Sequence, residues 1–339
     1  MPHPATKTAL LLALALLPAI PACDEAPSGQ PAVEALSEEE AAIAISTQEQ
    51  RLMEAISRKE PLPEPLLKDI HQLVERLPEH PFAQSLLART YLAQGRGQDA
   101  LAAARRSLDL APEQTQLRLL AGTIALDVHH NAEALEYLEA VAQDLADDPK
   151  AQLLLGTARL RNDQPESADR AFTRAIRLDP TAHRGHGGRS AVALRNDDLP
   201  AALRHLRLAM ERTDDLDEPD VWRAYTVRKA RILRQLGRPA DAITELQKLP
   251  INDQVQTDAT TEYANALHAL GRTADAATYF EQLTLVLPEN PVIHAQAARW
   301  NHRANNPDKA AEYLRNALSI NPQHPLVREV QQEIQTTPQ

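Results

Sequence analysis

Histidine is the first residue type to weigh for chemistry here, because imidazole is a common metal ligand and carries protons near neutrality. The chain has twelve. His129 and His130 are adjacent, so a helix would point them to different faces. His183 and His186 share a face, but no cysteine and no triplet of carboxylates nearby completes a metal shell. His294 and His302 sit eight residues apart, two turns along a helix, too far to share an ion. These histidines read as solvated residues, and no metal is expected. The run His183-Arg184-Gly185-His186-Gly187-Gly188-Arg189 has phosphate-loop composition, but no strand precedes it. A Gly-x-Ser-x-Gly elbow and a paired-carboxylate signature are both missing. The sequence therefore predicts no catalytic residue and no cofactor, and a metal-dependent enzyme ranks last among the readings.

The single cysteine, Cys23, rules out an intramolecular disulfide. Its position gives it another chemistry. Residues 1–22 have a short polar start with Lys7, an apolar stretch from Ala9 to Ile20, then small residues, which is a secretory signal layout too short to span a membrane. Ile20-Pro21-Ala22-Cys23 resembles a bacterial lipobox, which implies cleavage before Cys23 and lipidation of its thiol. The alternative is ordinary signal cleavage with a free thiol left over. The expected location is the bacterial cell envelope, facing the periplasm and lipid-anchored. Asp24, directly after the cysteine, tilts the choice toward the inner membrane.

Positioning elements come next. Alanines recur at 100, 134, 168, 202, 242, 276 and 310, with spacings of 34, 34, 34, 40, 34 and 34. A fixed period of this length marks stacked helix–turn–helix units. Composition agrees: aromatics are 3% and helix formers dominate. The net charge of −11 argues against a nucleic-acid partner. Much of that acidity lies in residues 24–80, with 13 acidic and 5 basic side chains. Residues 23–36 read as a disordered tether, reaching roughly 20 Å. Ser37 with Glu40 forms a capping-box signature that opens a first helical hairpin over residues 37–80. Residues 325–339 read as a capping helix and tail.

Within residues 81–324 each unit carries small residues at its eighth and twentieth positions, a bulky residue at its twenty-fourth and, in most units, a closing proline. Residues 257–290, for example, hold Ala264, Gly271, Ala276, Phe280 and Pro288. Gly95, Gly237 and Gly271 suit a left-handed turn between the two helices. The second unit has His129-His130 in that place, and six extra residues fall around Arg212 to Trp222. This pattern resembles the tetratricopeptide repeat family, in seven units, in a bacterial lipoprotein. The resemblance implies an all-α fold, a right-handed α-solenoid whose first helices line a concave groove that binds peptides. The second, fifth, sixth, ninth, twelfth and thirteenth residues of each unit would face that groove.

Taken in that phase, the groove has an apolar zone that includes Leu120 and Leu154. Its cationic zone holds Arg184, Arg195, Arg228, Arg231, Arg234, Arg299 and Arg303, with Asn265 beside them. Ten basic residues face three acidic ones, Asp127, Asp258 and Glu262. The leucines have a competing reading as inter-repeat core, and the arginines as partners of the acidic arm. Gly187 and Gly188 either accommodate a close helix or present backbone to a ligand. The resulting expectation is a non-catalytic scaffold that holds a protein or peptide segment, acidic in character, with a lipid on its N-terminus binding the membrane. Its implied role is assembly of an envelope complex such as a pilus, secretion or polysaccharide-export machine. The alternative is a self-associating structural protein.

Overall fold

The computed structural model describes residues 36–58, 60–213, 218–250, 253 and 256–336. The signal segment 1–22, Cys23, Asp24 and most of the tether lie outside the described residues. So do residues 337–339 of the tail. Among the described residues every regular element is a helix, as the alanine period requires. The chain divides into two compact units, Met1–Val192 and Ala193–Gln339.

The first unit begins with α1 (Glu38–Ser57) and α2 (Glu64–Arg76). Ser37 caps α1: its Oγ accepts from the Glu40 N–H at 3.3 Å, and the Glu40 carboxylate accepts from the Ser37 N–H at 2.8 Å. This is the reciprocal capping box that the sequence signalled. Three hairpins follow: α3 (Pro81–Ala93) with α4 (Gly97–Leu110), α5 (Thr115–Asp127) with α6 (Asn131–Ala140), and α7 (Pro149–Arg161) with α8 (Pro165–Leu178). The division between units falls inside α9 (His183–Arg195). The second unit continues with α10 (Leu199–Met210), α11 (Pro219–Gln235), α12 (Pro239–Leu246), α13 (Thr257–Ala269), α14 (Thr273–Val286), α15 (Pro291–Arg303), α16 (Pro307–Ile320) and α17 (Pro325–Thr336).

The alanine beat falls on fully buried positions of the hairpins. Ala100, Ala134, Ala168, Ala202, Ala242 and Ala276 are all 0% exposed, and Ala310 is 1% exposed. A larger side chain at these points would hold the paired helices apart. The turns keep the same beat. Gly95, His129, Asp163, Asp197, Gly237, Gly271 and Asn305 all have positive φ, between 56° and 75°. In each of the seven turns the next residue's N–H donates to the carbonyl five residues back, at 2.8–2.9 Å. This bond satisfies a carbonyl left over at the helix end. Glycine is thus used in three turns, while His, Asp and Asn take the left-handed conformation in the other four.

The break in rhythm also has a structural form. The first helices of the other hairpins have 13 residues, whereas α11 has 17. Part of the insertion is therefore spent on one extra helical turn.

Candidate functional site

The face of the first helices is built by packing before it is available for binding. Leu120 is 4% exposed and lies inside the first unit's core with Leu86 and Leu126, and Leu154 packs against the same core. The expected apolar groove zone is corrected accordingly. At the sixth position the helix turns toward its neighbours, so Leu120 is core and not an open contact.

Packing also explains two glycines of the run, Gly185 and Gly188. A Cβ on Gly188 would come within 2.5 Å of the Phe172 ring, and one on Gly185 within 2.6 Å of Ile176. These contacts favour the close-helix reading for both. The histidines do not gather. His186 is buried rather than solvated, and His294 is buried with its Nε2 2.8 Å from the Pro288 carbonyl. Among the described residues no group of three His, Cys, Asp or Glu side chains is placed to hold a metal ion.

Most of the cationic zone is paired internally. Glu262, 2% exposed on α13, accepts from Arg234 at 2.6 Å and from Arg231 at 3.4 Å, both on α11. Arg299 on α15 pairs with Glu329 at 2.5 Å and Glu333 at 2.7 Å on α17, and Arg303 reaches Glu333 at 2.7 Å. Together the two arginines and burial set the Glu333 carboxyl: burial raises it, and the pairing outweighs this to hold it below its ordinary range. In the first unit Arg89, 3% exposed, pairs with Glu49 of α1. Arg184 and Arg195 also engage neighbouring groups. The large open positive surface expected from the sequence is thus corrected. Glu49, Glu329 and Glu333 were overlooked because they lie in the capping hairpin and capping helix, outside the seven units. A signal existed: Glu333 follows Arg299 by 34 residues, one full period.

Arg228 stands apart. It is half-buried on α11, one turn before Arg231, and among the described residues it makes no ion pair or hydrogen bond. Burial depresses its guanidinium pKa, the Tyr225 hydroxyl partly opposes this, and repulsion from Arg231 adds a smaller depression. The nearby acid Glu262 is already shared by two arginines. Asn265 lies half-buried one turn beyond Glu262, one period after Arg231, and its amide makes no hydrogen bond among the described residues. A half-buried cation without a counter-charge is costly. An anionic group arriving from outside would relieve that cost, with the amide of Asn265 available as a neutral donor and acceptor on the next first helix.

A family model described as tetratricopeptide repeat matches residues 67–115, 153–217, 227–292 and 261–325. No curated protein matches the chain. Among solved structures, PilW, described as a widely conserved type IV pilus biogenesis factor, is 14% identical. It covers 66% of this chain and 99% of its own, with a TM-score of 0.54. PilF from Pseudomonas aeruginosa is also 14% identical, with the same shares of 66% and 99% and a TM-score of 0.52. The Cut9–Hcn1 hetero-tetramer of the APC/C is 16% identical, covers 88% of this chain and 56% of its own, and has a TM-score of 0.50. At these identities the likeness is one of fold.

Proposed function

The chain belongs to the tetratricopeptide repeat family, and from that premise we propose that it is a lipid-anchored scaffold of the bacterial envelope that holds an acidic segment of a partner protein. Proteins of this family are generally interaction scaffolds without catalysis of their own. The observation that carries the acidic partner is Arg228, a half-buried guanidinium that makes no ion pair among the described residues while Arg231 and Arg234 are paired. Arg231, 55% exposed and 3.4 Å from Glu262, is held loosely enough to turn toward the same ligand. The anchor rests on the Ile20-Pro21-Ala22-Cys23 motif behind an apolar leader. Assembly of a pilus, secretion or polysaccharide-export complex is the role assigned on this reading, and the fold likeness to a pilus biogenesis factor is in keeping with it.

Cross-linking from a photoreactive residue at position 265 in living cells should capture the partner. Arg228→Gln should weaken that partner's binding about 10–100-fold, the worth of one charge-assisted hydrogen-bonded pair. It should leave the helical circular dichroism unchanged, since Arg228 makes no ion pair or hydrogen bond among the described residues. Binding that is unaltered in Arg228→Gln would remove the proposal. A triple replacement of Arg228, Arg231 and Arg234 by Glu is a poorer test, because it also strands the buried Glu262 among new acids.

A further inference from the structure

Arg231 and Arg234 share Glu262 unequally. Each guanidinium donates through its Nε alone, Arg234 to Oε1 at 2.6 Å and Arg231 to Oε2 at 3.4 Å. The first is a short charge-assisted bond, and the second is at the long limit for any hydrogen bond. Exposure follows the same order, 26% for Arg234 and 55% for Arg231. Arg231 makes no other hydrogen bond or ion pair among the described residues, so both of its Nη groups are unengaged. Arg299 shows the contrast: it is 11% exposed and fixed by Glu329 at 2.5 Å and Glu333 at 2.7 Å.

Glu262 nevertheless resists the departure of Arg231. The carboxylate is almost fully buried, so water reaches it poorly. If Arg231 turns away, Oε2 loses its one donor among the described residues. A buried acceptor left unpaired is unfavourable. Arg234, at 2.6 Å, meanwhile keeps the carboxylate in place. On the other side of Arg231, one turn back on α11, stands Arg228, near enough for the two guanidiniums to repel. A carboxylate seated between them would pair with both, and it would have to draw Arg231 from Glu262 to do so.

We propose that Glu262 is a built-in competitor of the partner's acidic group, holding Arg231 back and so lowering the affinity of the site at Arg228. The inference rests on the acidic-partner reading above and adds a positioning residue to it. Glu262 touches no ligand and sets affinity through Arg231. It also filters ligands: a carboxylate that reaches Arg228 alone leaves Arg231 where it is, and one that reaches both guanidiniums draws it away.

The test uses fluorescein-labelled hexaglutamate as the probe, followed by anisotropy with the full chain at about 50 mM salt, and labelled hexaglutamine as the neutral control. Glu262→Gln keeps one acceptor oxygen for Arg234 and presents an amide N–H to Arg231, which then has nothing to bond there. This variant should bind hexaglutamate about three- to tenfold more tightly, the worth of one loose, partly exposed ion pair. Losing an acid also makes the groove more positive, so a double-mutant cycle separates the causes. Against Arg231→Gln alone, Glu262→Gln with Arg231→Gln should bind no more tightly, because the gain acts through Arg231. Circular dichroism checks that each variant folds. In the unsubstituted chain, saturating probe should move the nitrogen-15 NMR signal of the Arg231 Nε and leave that of Arg234 in place. Unchanged affinity in a folded Glu262→Gln, a gain that survives the loss of Arg231, or an Arg231 signal that stays put would each overturn the proposal. Hexaglutamate that the parent does not bind, or binds equally after Arg228→Gln, would instead remove the acidic-partner reading and this proposal with it.

Discussion

Asp127 is a carboxyl whose chemistry the fold displaces upward. It ends α5 with its Oδ2 buried and without a hydrogen-bond partner. Burial pushes its carboxyl up to about 6, against weaker opposing pulls from Arg161 and His129. A carboxyl raised in the folded state binds its proton more tightly there than in the unfolded chain. Its ionisation therefore destabilises the fold progressively from about pH 4 to about pH 6, and the full cost persists above that. Asp127→Asn removes the cost. Allowing for partial solvent screening, the variant should be about 1–2 kcal/mol more stable than the parent at pH 7. The advantage should vanish near pH 4, and urea melts at the two values would show it. A constant difference across that range would mean that the carboxyl titrates normally. Nothing in the sequence singled out this position beyond its place in the repeat, because burial of a helix end depends on how the next hairpin packs.

At the scale of the element, the left-handed turn is the feature most tightly repeated. Glycine at 95, 237 and 271 announced it in the sequence, whereas the other four turns keep the same spacing with His, Asp or Asn, residue types that do not by themselves mark a left-handed turn. The hydrogen bond across the turn compensates each of them equally, so the strain of a side chain remains. His129, at φ 63°, carries the largest side chain in this position. His129→Gly should raise stability by about 0.5–1 kcal/mol, the relief of left-handed strain less the entropy of a new glycine. Thermal melting of the parent and the variant under one set of conditions measures the effect. A melting point that falls would show that the side chain contributes more than the strain costs. The alanine positions were legible for the opposite reason. Contact between paired helices at one point excludes everything larger, so the restriction is written directly into residue type.

For the whole molecule, periodicity exposed the stack, but charge was harder to read from sequence. A tally confined to seven units found an open basic groove, and the caps then supplied Glu49, Glu329 and Glu333 to close much of it. Terminal elements of a solenoid pair with the exposed end of the next repeat, so they belong in any such tally. What survives is local: Arg228, a half-buried groove arginine with no ion pair among the described residues, in a chain of net charge −11. Such a scaffold works only where its partner is, which gives Cys23 its weight. None of the described helices is long and apolar enough to cross a membrane, so attachment on the proposed reading falls to the lipid. Acyl chains contribute about 0.8 kcal/mol per buried methylene, enough to hold a protein at a bilayer when two or more are present. Cys23→Ser should therefore abolish incorporation of radiolabelled palmitate and move the protein from the membrane pellet to the soluble fraction. Its melting curve should not change, since the anchor contributes nothing to the repeats. A parent chain that takes up no label, or a Cys23→Ser chain that still sediments with membranes, would remove the lipid anchor.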